Sequence, residues 1–164
     1  GEAIAESKRS NGAKNVMVVD DVSSNRKLLL MLLKKAGDIN LDSAACGEEA
    51  LEKFKREPGR FDIILTDNIM PDMTGLEASR TLREYGYKNL LIGVTGNAMD
   101  ADLQEFVASG ADMAIAKPIK YDTLTAILTH CERFGCVSPC QDQISSDEDL
   151  DISKENLRTI SKTL

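Results

Sequence analysis

Asp20, Asp21, Asp67, Thr95 and Lys117 are the residues of this chain whose types could do chemistry together. Three carboxylates in one place repel one another, which raises some of their pKa values unless a counter-ion joins them. A hard divalent cation such as Mg²⁺ relieves the repulsion. It takes one or two carboxylates, keeps several waters and leaves room for phosphate oxygens. A carboxylate can also act as a nucleophile toward phosphorus and form an acyl phosphate. Phosphoryl transfer asks mainly for positioning and charge neutralisation, which a cation, a hydroxyl and an ammonium supply. Lys117 offers phosphate a point charge, and Thr95 a hydrogen bond that exists only while a phosphoryl group does. The set points to phosphoryl chemistry on a carboxylate beside a bound cation.

What gathers these residues is their place in the chain. Asp20-Asp21 follow Val16-Met17-Val18-Val19, Asp67 follows Ile63-Ile64-Leu65-Thr66, Thr95 follows Leu91-Ile92-Gly93-Val94, and Lys117 follows Ala114-Ile115-Ala116. Short apolar runs rich in β-branched residues read as buried parallel strands. In an open parallel sheet the carboxyl ends of the strands share one edge, and ligands bind in the crevice there. Taken singly, each residue has a plainer role: an Asp as a cap, Thr95 as a turn residue before Gly96, Lys117 as a solvated charge. Their joint position, each at the end of its own strand, favours a shared site.

Strand and helix signals alternate from Asn15 to Phe134. Ser23 or Ser24 can cap a helix carrying Leu28, Leu29, Leu32 and Leu33 that ends at Gly37. A short strand over 41–45, a helix from Gly47 to before Pro58, and a strand over 61–66 follow. The segment Met70-Pro71-Asp72-Met73-Thr74-Gly75 has turn chemistry. Beyond it the pattern predicts a helix over 76–85 with Leu76, Ala78 and Leu82 inward, a strand over 90–94 and a helix over 100–108. A strand over 113–116 and a helix over 121–134 complete five βα units, which means a parallel sheet with helices on both faces.

Residues 1–14 are polar and read as a flexible segment without a secretory signal, and 15–135 as one domain. Residues 136–164 read as an acidic tail. Within it 141–151 is expected to be a flexible connector, and Ser153 to cap a short amphipathic helix using Leu157, Ile160 and Leu164. A net charge of -7 argues against a generic nucleic-acid binder, which would carry a basic patch. No apolar run approaches the roughly 20 residues that span a bilayer, so no direct membrane insertion is expected. Four cysteines do not make a disulfide scaffold at this length. Cys131, Cys136 and Cys140 cluster near His130. A zinc site is one reading, but there is no Cys-x-x-Cys pair, and adjacent His130 and Cys131 on a helix point about 100° apart. A Cys136–Cys140 or Cys131–Cys136 disulfide under oxidising conditions is another.

The segments Val18-Val19-Asp20-Asp21, Thr66-Asp67-Asn68-Ile69-Met70-Pro71-Asp72-Met73-Thr74-Gly75, Val94-Thr95-Gly96-Asn97-Ala98 and Ala116-Lys117-Pro118 resemble the receiver domain of two-component response regulators and hybrid histidine kinases. The resemblance implies a flavodoxin-like, doubly wound five-stranded parallel sheet of order 2-1-3-4-5 with helices on both faces. It implies that Asp67 is the phospho-acceptor, and that Asp21, Asp67 and the Ile69 backbone carbonyl bind Mg²⁺ directly, with Asp20 helping through water. Thr95 would be the switch hydroxyl, Lys117 the phosphate-pairing cation, and the Lys117–Pro118 bond cis.

By the same resemblance the donor is a phosphohistidine on a histidine kinase or a histidine phosphotransfer protein. The result is a changed affinity for a downstream protein or a phosphorylation-dependent dimer. The segment Val94-Thr95-Gly96-Asn97-Ala98 resembles receivers of hybrid sensor kinases, which implies a cytoplasmic domain of a larger sensor; a stand-alone regulator is the alternative. Receivers often carry Tyr or Phe three residues before the Lys, where this chain has Ala114, so an aromatic rotamer switch is unavailable there. An aspartate-nucleophile phosphohydrolase of the haloacid dehalogenase kind would need Asp-x-Asp-x-Thr. Asp67-Asn68-Ile69 lacks the second Asp, and Asp20-Asp21 is misspaced for it.

Overall fold

The computed structural model describes residues 13–96, 100–139 and 147–162. Strands β1 (Lys14–Val19), β2 (Ile39–Ala44), β3 (Ile63–Asp67), β4 (Leu90–Thr95) and β5 (Met113–Ala116) form one sheet, and all neighbours pair in parallel. Its order is β2-β1-β3-β4-β5. The helices are α1 (Ser23–Ala36), α2 (Gly47–Arg56), α3 (Gly75–Glu84), α4 (Asp100–Ala108), α5 (Tyr121–Phe134) and α6 (Asp147–Lys162). This is the parallel sheet with helices on both faces that the alternating pattern predicts, in the flavodoxin-like strand order that the resemblance implies.

Strands covered on both faces must be apolar along their whole length, and every residue of β3 and β4 is buried. The core has two halves. On one face Val16, Val18, Leu65 and Ile92 meet Leu29 and Leu33 of α1 and Leu124 and Ile127 of α5. On the other, Met17, Ile64 and Leu91 meet Leu51 and Phe54 of α2, Leu82 of α3 and Phe106 of α4. At Gly93 in β4 a Cβ would lie 2.4 Å from the Phe106 ring, so the glycine lets α4 sit close on the sheet.

Register carries the site. Val19 pairs with Thr66 and Thr95 with Ala116, so the residues after β1 and β5 lie beside the ends of β3 and β4. The edge strand β2 is mostly half-exposed and carries Asn40, Asp42 and Ser43. The other edge, β5, is short, and α6 packs against it and against α5.

Several expectations need correction. Neither Ser23 nor Ser24 caps α1; the N-cap position is Val22, and its N–H donates to the Asp20 carboxylate at 2.9 Å. This bond pins the loop that enters the helix, and no side chain caps its first turn. Of the leucines in that helix, Leu28 is 53% exposed, because the buried stripe of α1 runs through Leu29 and Leu33. The last helix opens at Asp147, not Ser153, which is buried inside it. The expected connector therefore ends by 146, and its residues 141–146, like the segment 1–12 and Leu164, lie outside the described residues. Leu157 and Ile160 are buried, as the amphipathic pattern predicts.

Candidate functional site

Asp20 follows β1 and Asp67 ends β3, and both are buried at the carboxyl edge of the sheet. Asp21 is exposed beside them. Each of the three offers a carboxylate oxygen, and these lie within 4.8 Å of one another. Among the described residues this is the only cluster of His, Cys, Asp or Glu gathered closely enough for a metal ion. The zinc reading of His130 with the cysteines finds no such cluster there, and Cys140 lies outside the described residues. An all-carboxylate donor set suits a hard cation, and a buried Asn68 Oδ1 with no hydrogen-bond partner adds an unsatisfied oxygen next to Asp67 in the chain.

Lys117 reaches across from the end of β5. Its Nζ lies 2.9 Å from Asp67 Oδ1 and 3.7 Å from Asp20 Oδ2. Burial lifts the Asp67 pKa above the ordinary carboxylate range; Lys117 pulls it down, and the Asp20 charge adds to the rise. Burial would lower Lys117, but the hydrogen bond and charge of Asp67, with Asp20 behind them, leave it raised and firmly cationic. One ammonium thus serves two crowded acids, which leaves demand for more positive charge. Thr95 ends β4 and is buried, and its carbonyl accepts from the Lys117 N–H at 2.8 Å. The Lys117–Pro118 bond is cis, as the resemblance implies.

The turn after β3 folds back on the site. Gly75 N–H donates to the Asn68 carbonyl at 2.8 Å, and a Cβ on Gly75 would lie 2.1 Å from the Asp67 carbonyl oxygen. Only glycine fits that approach. Ile69 sits in this turn with its side chain 82% exposed, so it offers the pocket no polar side-chain group. A cavity of ≈ 310 Å³ opens from the acids along α1, lined by Asp20, Asn25, Leu29, Asp67, Lys117 and Pro118. Exposed Val22, Leu28 and Met31 line the outer side of α1 nearby. Asn97 and Ala98 lie outside the described residues.

Two features escape the sequence reading. Arg26 Nη1 donates to the Asp20 carbonyl at 2.6 Å, tying the first turn of α1 to the acidic loop. An arginine one turn into the helix that follows an acidic pair is the signal that points to it. Ala114, where receivers often carry an aromatic ring, is buried, and its carbonyl accepts the Ser161 hydroxyl of α6 at 2.8 Å. Nothing local marks that contact.

A doubly wound sheet with a cation-ready acidic pocket and a lysine at its carboxyl edge defines a class of domain rather than a single activity. The chain belongs to the response regulator receiver domain family, whose model matches residues 16–129. It is 35% identical over 127 residues to "Two-component system protein A" of Emericella nidulans, covering 77% of this chain and 19% of that protein. It is 39% identical over 119 residues to the aerobic respiration control sensor protein ArcB of Escherichia coli, covering 71% and 15%. The chain thus spans under a fifth of the length of these two relatives. Two-component response regulator ORR41 of Oryza sativa subsp. japonica is 33% identical over 114 residues, covering 69% and 90%.

Among solved structures, the receiver domain of sensor histidine kinase PA1611 from Pseudomonas aeruginosa, with magnesium coordinated in its active-site cleft, is similar. It matches with a TM-score of 0.63 and 28% identity, over 71% of this chain and 95% of that one. A chain from the Saccharomyces cerevisiae co-crystal of the histidine phosphotransfer protein Ypd1 with the receiver domain of Ssk1 shares the fold. It has a TM-score of 0.67 and 23% identity, over 76% and 92%. The chain is a receiver domain of the two-component phosphorelay type.

Proposed function

We propose that Asp67 accepts a phosphoryl group from a phosphohistidine and that the acyl phosphate switches the domain's affinity for a partner. The observation that carries this is the convergence of Asp20, Asp21 and Asp67 on one point, with Lys117 at 2.9 Å from Asp67. An Asp67 carboxylate oxygen attacks phosphorus, the P–N bond to the donor imidazole breaks, and the imidazole leaves. Lys117 pairs with a phosphoryl oxygen, and the Thr95 hydroxyl donates to another. Asp20, Asp21, Asp67 and the Ile69 carbonyl would hold Mg²⁺, which when bound neutralises the crowded carboxylates and the charge developing on phosphoryl oxygens.

The donor is a histidine kinase or a histidine phosphotransfer protein, like the one crystallised with the Ssk1 receiver. The exposed apolar side chains of Val22, Leu28, Met31 and Ile69 around the pocket suit the apolar face of a helix. The phosphorylated form then engages a downstream protein or a second copy. Low coverage of the two long relatives favours a receiver of a hybrid sensor histidine kinase, working on the cytoplasmic side where ATP supplies the phosphohistidine. The near-complete coverage of ORR41 favours the second reading, a stand-alone regulator. Among the described residues no helix is long and apolar enough to cross a membrane.

The test is intact mass after incubation with Mg²⁺ and a small acyl phosphate. A gain of one phosphoryl group, about 80 Da, that needs Mg²⁺ and is absent from Asp67→Asn supports the switch. Continuous turnover of a phosphate ester without stoichiometric labelling would favour a hydrolase instead.

A further inference from the structure

At the end of the sheet away from the acidic pocket, α5 closes on Gly135, whose N–H donates to the Cys131 carbonyl at 2.8 Å. The chain then runs beside the start of β4. Leu90 N–H donates to the Cys136 carbonyl at 2.9 Å, Ser138 N–H donates to the Lys88 carbonyl at 2.8 Å, and Asn89 and Val137 form an antiparallel bridge. Cys131 is therefore fixed by the helix and Cys136 by backbone pairing. Their thiols are hydrogen-bonded to each other across the cap. Cys131 is 2% exposed within the core, and Cys136 packs against it with part of its surface open to solvent.

We propose that Cys131 and Cys136 form a dithiol modification site for small hydroperoxides, with Cys136 the attacking thiolate and Cys131 the resolving thiol. The hydrogen bond from Cys131 pulls the Cys136 thiol below its usual range against the effect of burial, and the same bond with burial pushes Cys131 up. Cys136, the partly exposed of the two, therefore gives up its proton more readily than buried Cys131. Cys136 sulfur attacks one peroxide oxygen, the O–O bond breaks, and the departing alkoxide or hydroxide takes a proton. Cys136 becomes a sulfenic acid, oxidised by two electrons as the peroxide is reduced to an alcohol or water. Cys131 sulfur then attacks Cys136 sulfur, the S–O bond breaks, and the Cys131 proton leaves with the hydroxide as water. The product disulfide ties the end of α5 to the segment beside β4.

The test treats the full, reduced chain with limiting hydrogen peroxide, then alkylates and maps it. A loss of about 2 Da, with Cys131 linked to Cys136 and both Cys46 and Cys140 alkylated, is expected. Cys46 caps α2 on the opposite face of the sheet and is the internal reference. Cys136 should oxidise at least about tenfold faster than it. In Cys131→Ser the reaction should stop at a sulfenic acid on Cys136, a gain of about 16 Da trapped by a dione reagent. Cys136→Ser, at a partly exposed position, should keep the fold and lose the 2 Da change. A Cys136–Cys140 link, oxidation of Cys46 at an equal or greater rate, or no disulfide at all would overturn the proposal.

Discussion

Two buried carboxylates, each facing a cation, sit at different places in this sheet. Asp112, just before β5, is wholly enclosed. It accepts from Arg83 Nη2 at 2.9 Å, from the Leu91 N–H at 3.0 Å and from the Ser138 hydroxyl. Arg83 spends its other donors on the carbonyls of Gly110, Tyr87 and Asn89, each at 2.8 Å. Asp67 also pairs with a cation, but Lys117 must serve Asp20 as well, and Asp21 stands alongside. Burial raises both carboxyls, since each has lost water. The difference lies in the partners. A saturated buried network specifies structure, whereas a crowded and undersupplied one is open to a ligand.

The comparison breaks most sharply at Asp67 itself. Asp67→Asn should abolish phosphoryl uptake completely, read by intact mass, yet leave the thermal midpoint in Mg²⁺-free buffer unchanged or higher. The sign follows from the raised pKa: the folded form holds its proton more tightly than the unfolded one, so ionisation of Asp67 costs stability as pH rises through the folded value. A lower midpoint would mean that the Lys117 pair stabilises the fold after all. Arg83→Met should do the opposite. It leaves Asp112 buried and uncompensated at a cost of about 3–5 kcal/mol in urea unfolding, while the surviving folded fraction still labels at Asp67.

Leu157→Ala should cost about 2–5 kcal/mol, because Leu157 fills the same core half as Leu124 and Ile127. A negligible loss would show that α6 is not part of the folded unit. Mg²⁺ should stabilise the parent by about 2.7 kcal/mol at a hundredfold excess over its dissociation constant. Asp20→Asn should lose much of that gain, and Arg83→Met should retain it. The smallest effect expected is at His130, a third buried group with incomplete partners. Its Nδ1 is 2.8 Å from Asn156 Nδ2 of α6, and its Nε2 has no hydrogen-bond partner. Burial first, and then the nearby Arg133, lower its pKa to about 4. The unfolded chain, titrating near 6.5, binds the proton more readily, so His130 subtracts stability as pH falls from about 6.5 toward 4. A His130→Gln variant should flatten that part of the stability profile, and an unchanged slope would remove His130 as its source.

Which parts were legible in advance follows from how each is encoded. Asp20, Asp67, Thr95 and Lys117 each stand at the end of a strand, and β4, α4, β5 and α5 have bounds close to those the pattern predicts. At α1 Ser23 and Ser24 are good capping residues by type, but the helix begins at Ser23, so both lie inside it and the cap position falls to Val22. Five leucines in α1 fit more than one apolar stripe, and packing against the sheet and α5 selects Leu29 and Leu33.

The sequence by itself determined the alternation of strands and helices and the chemistry at the strand ends. Both are local: apolar period, turn residues, and one reactive residue after each run. Tertiary structure decided the rest. Arg83 and Asp112 are 29 positions apart and meet only because α3 and the turn before β5 fold to the same end of the sheet. The Cys131 and Cys136 thiols meet because the helix cap and the pairing beside β4 fix both. Helix α6 brings its apolar stripe of Leu157 and Ile160 from its own sequence, but that the stripe docks on edge strand β5, with the Ser161 hydroxyl on the Ala114 carbonyl, follows from the sheet order.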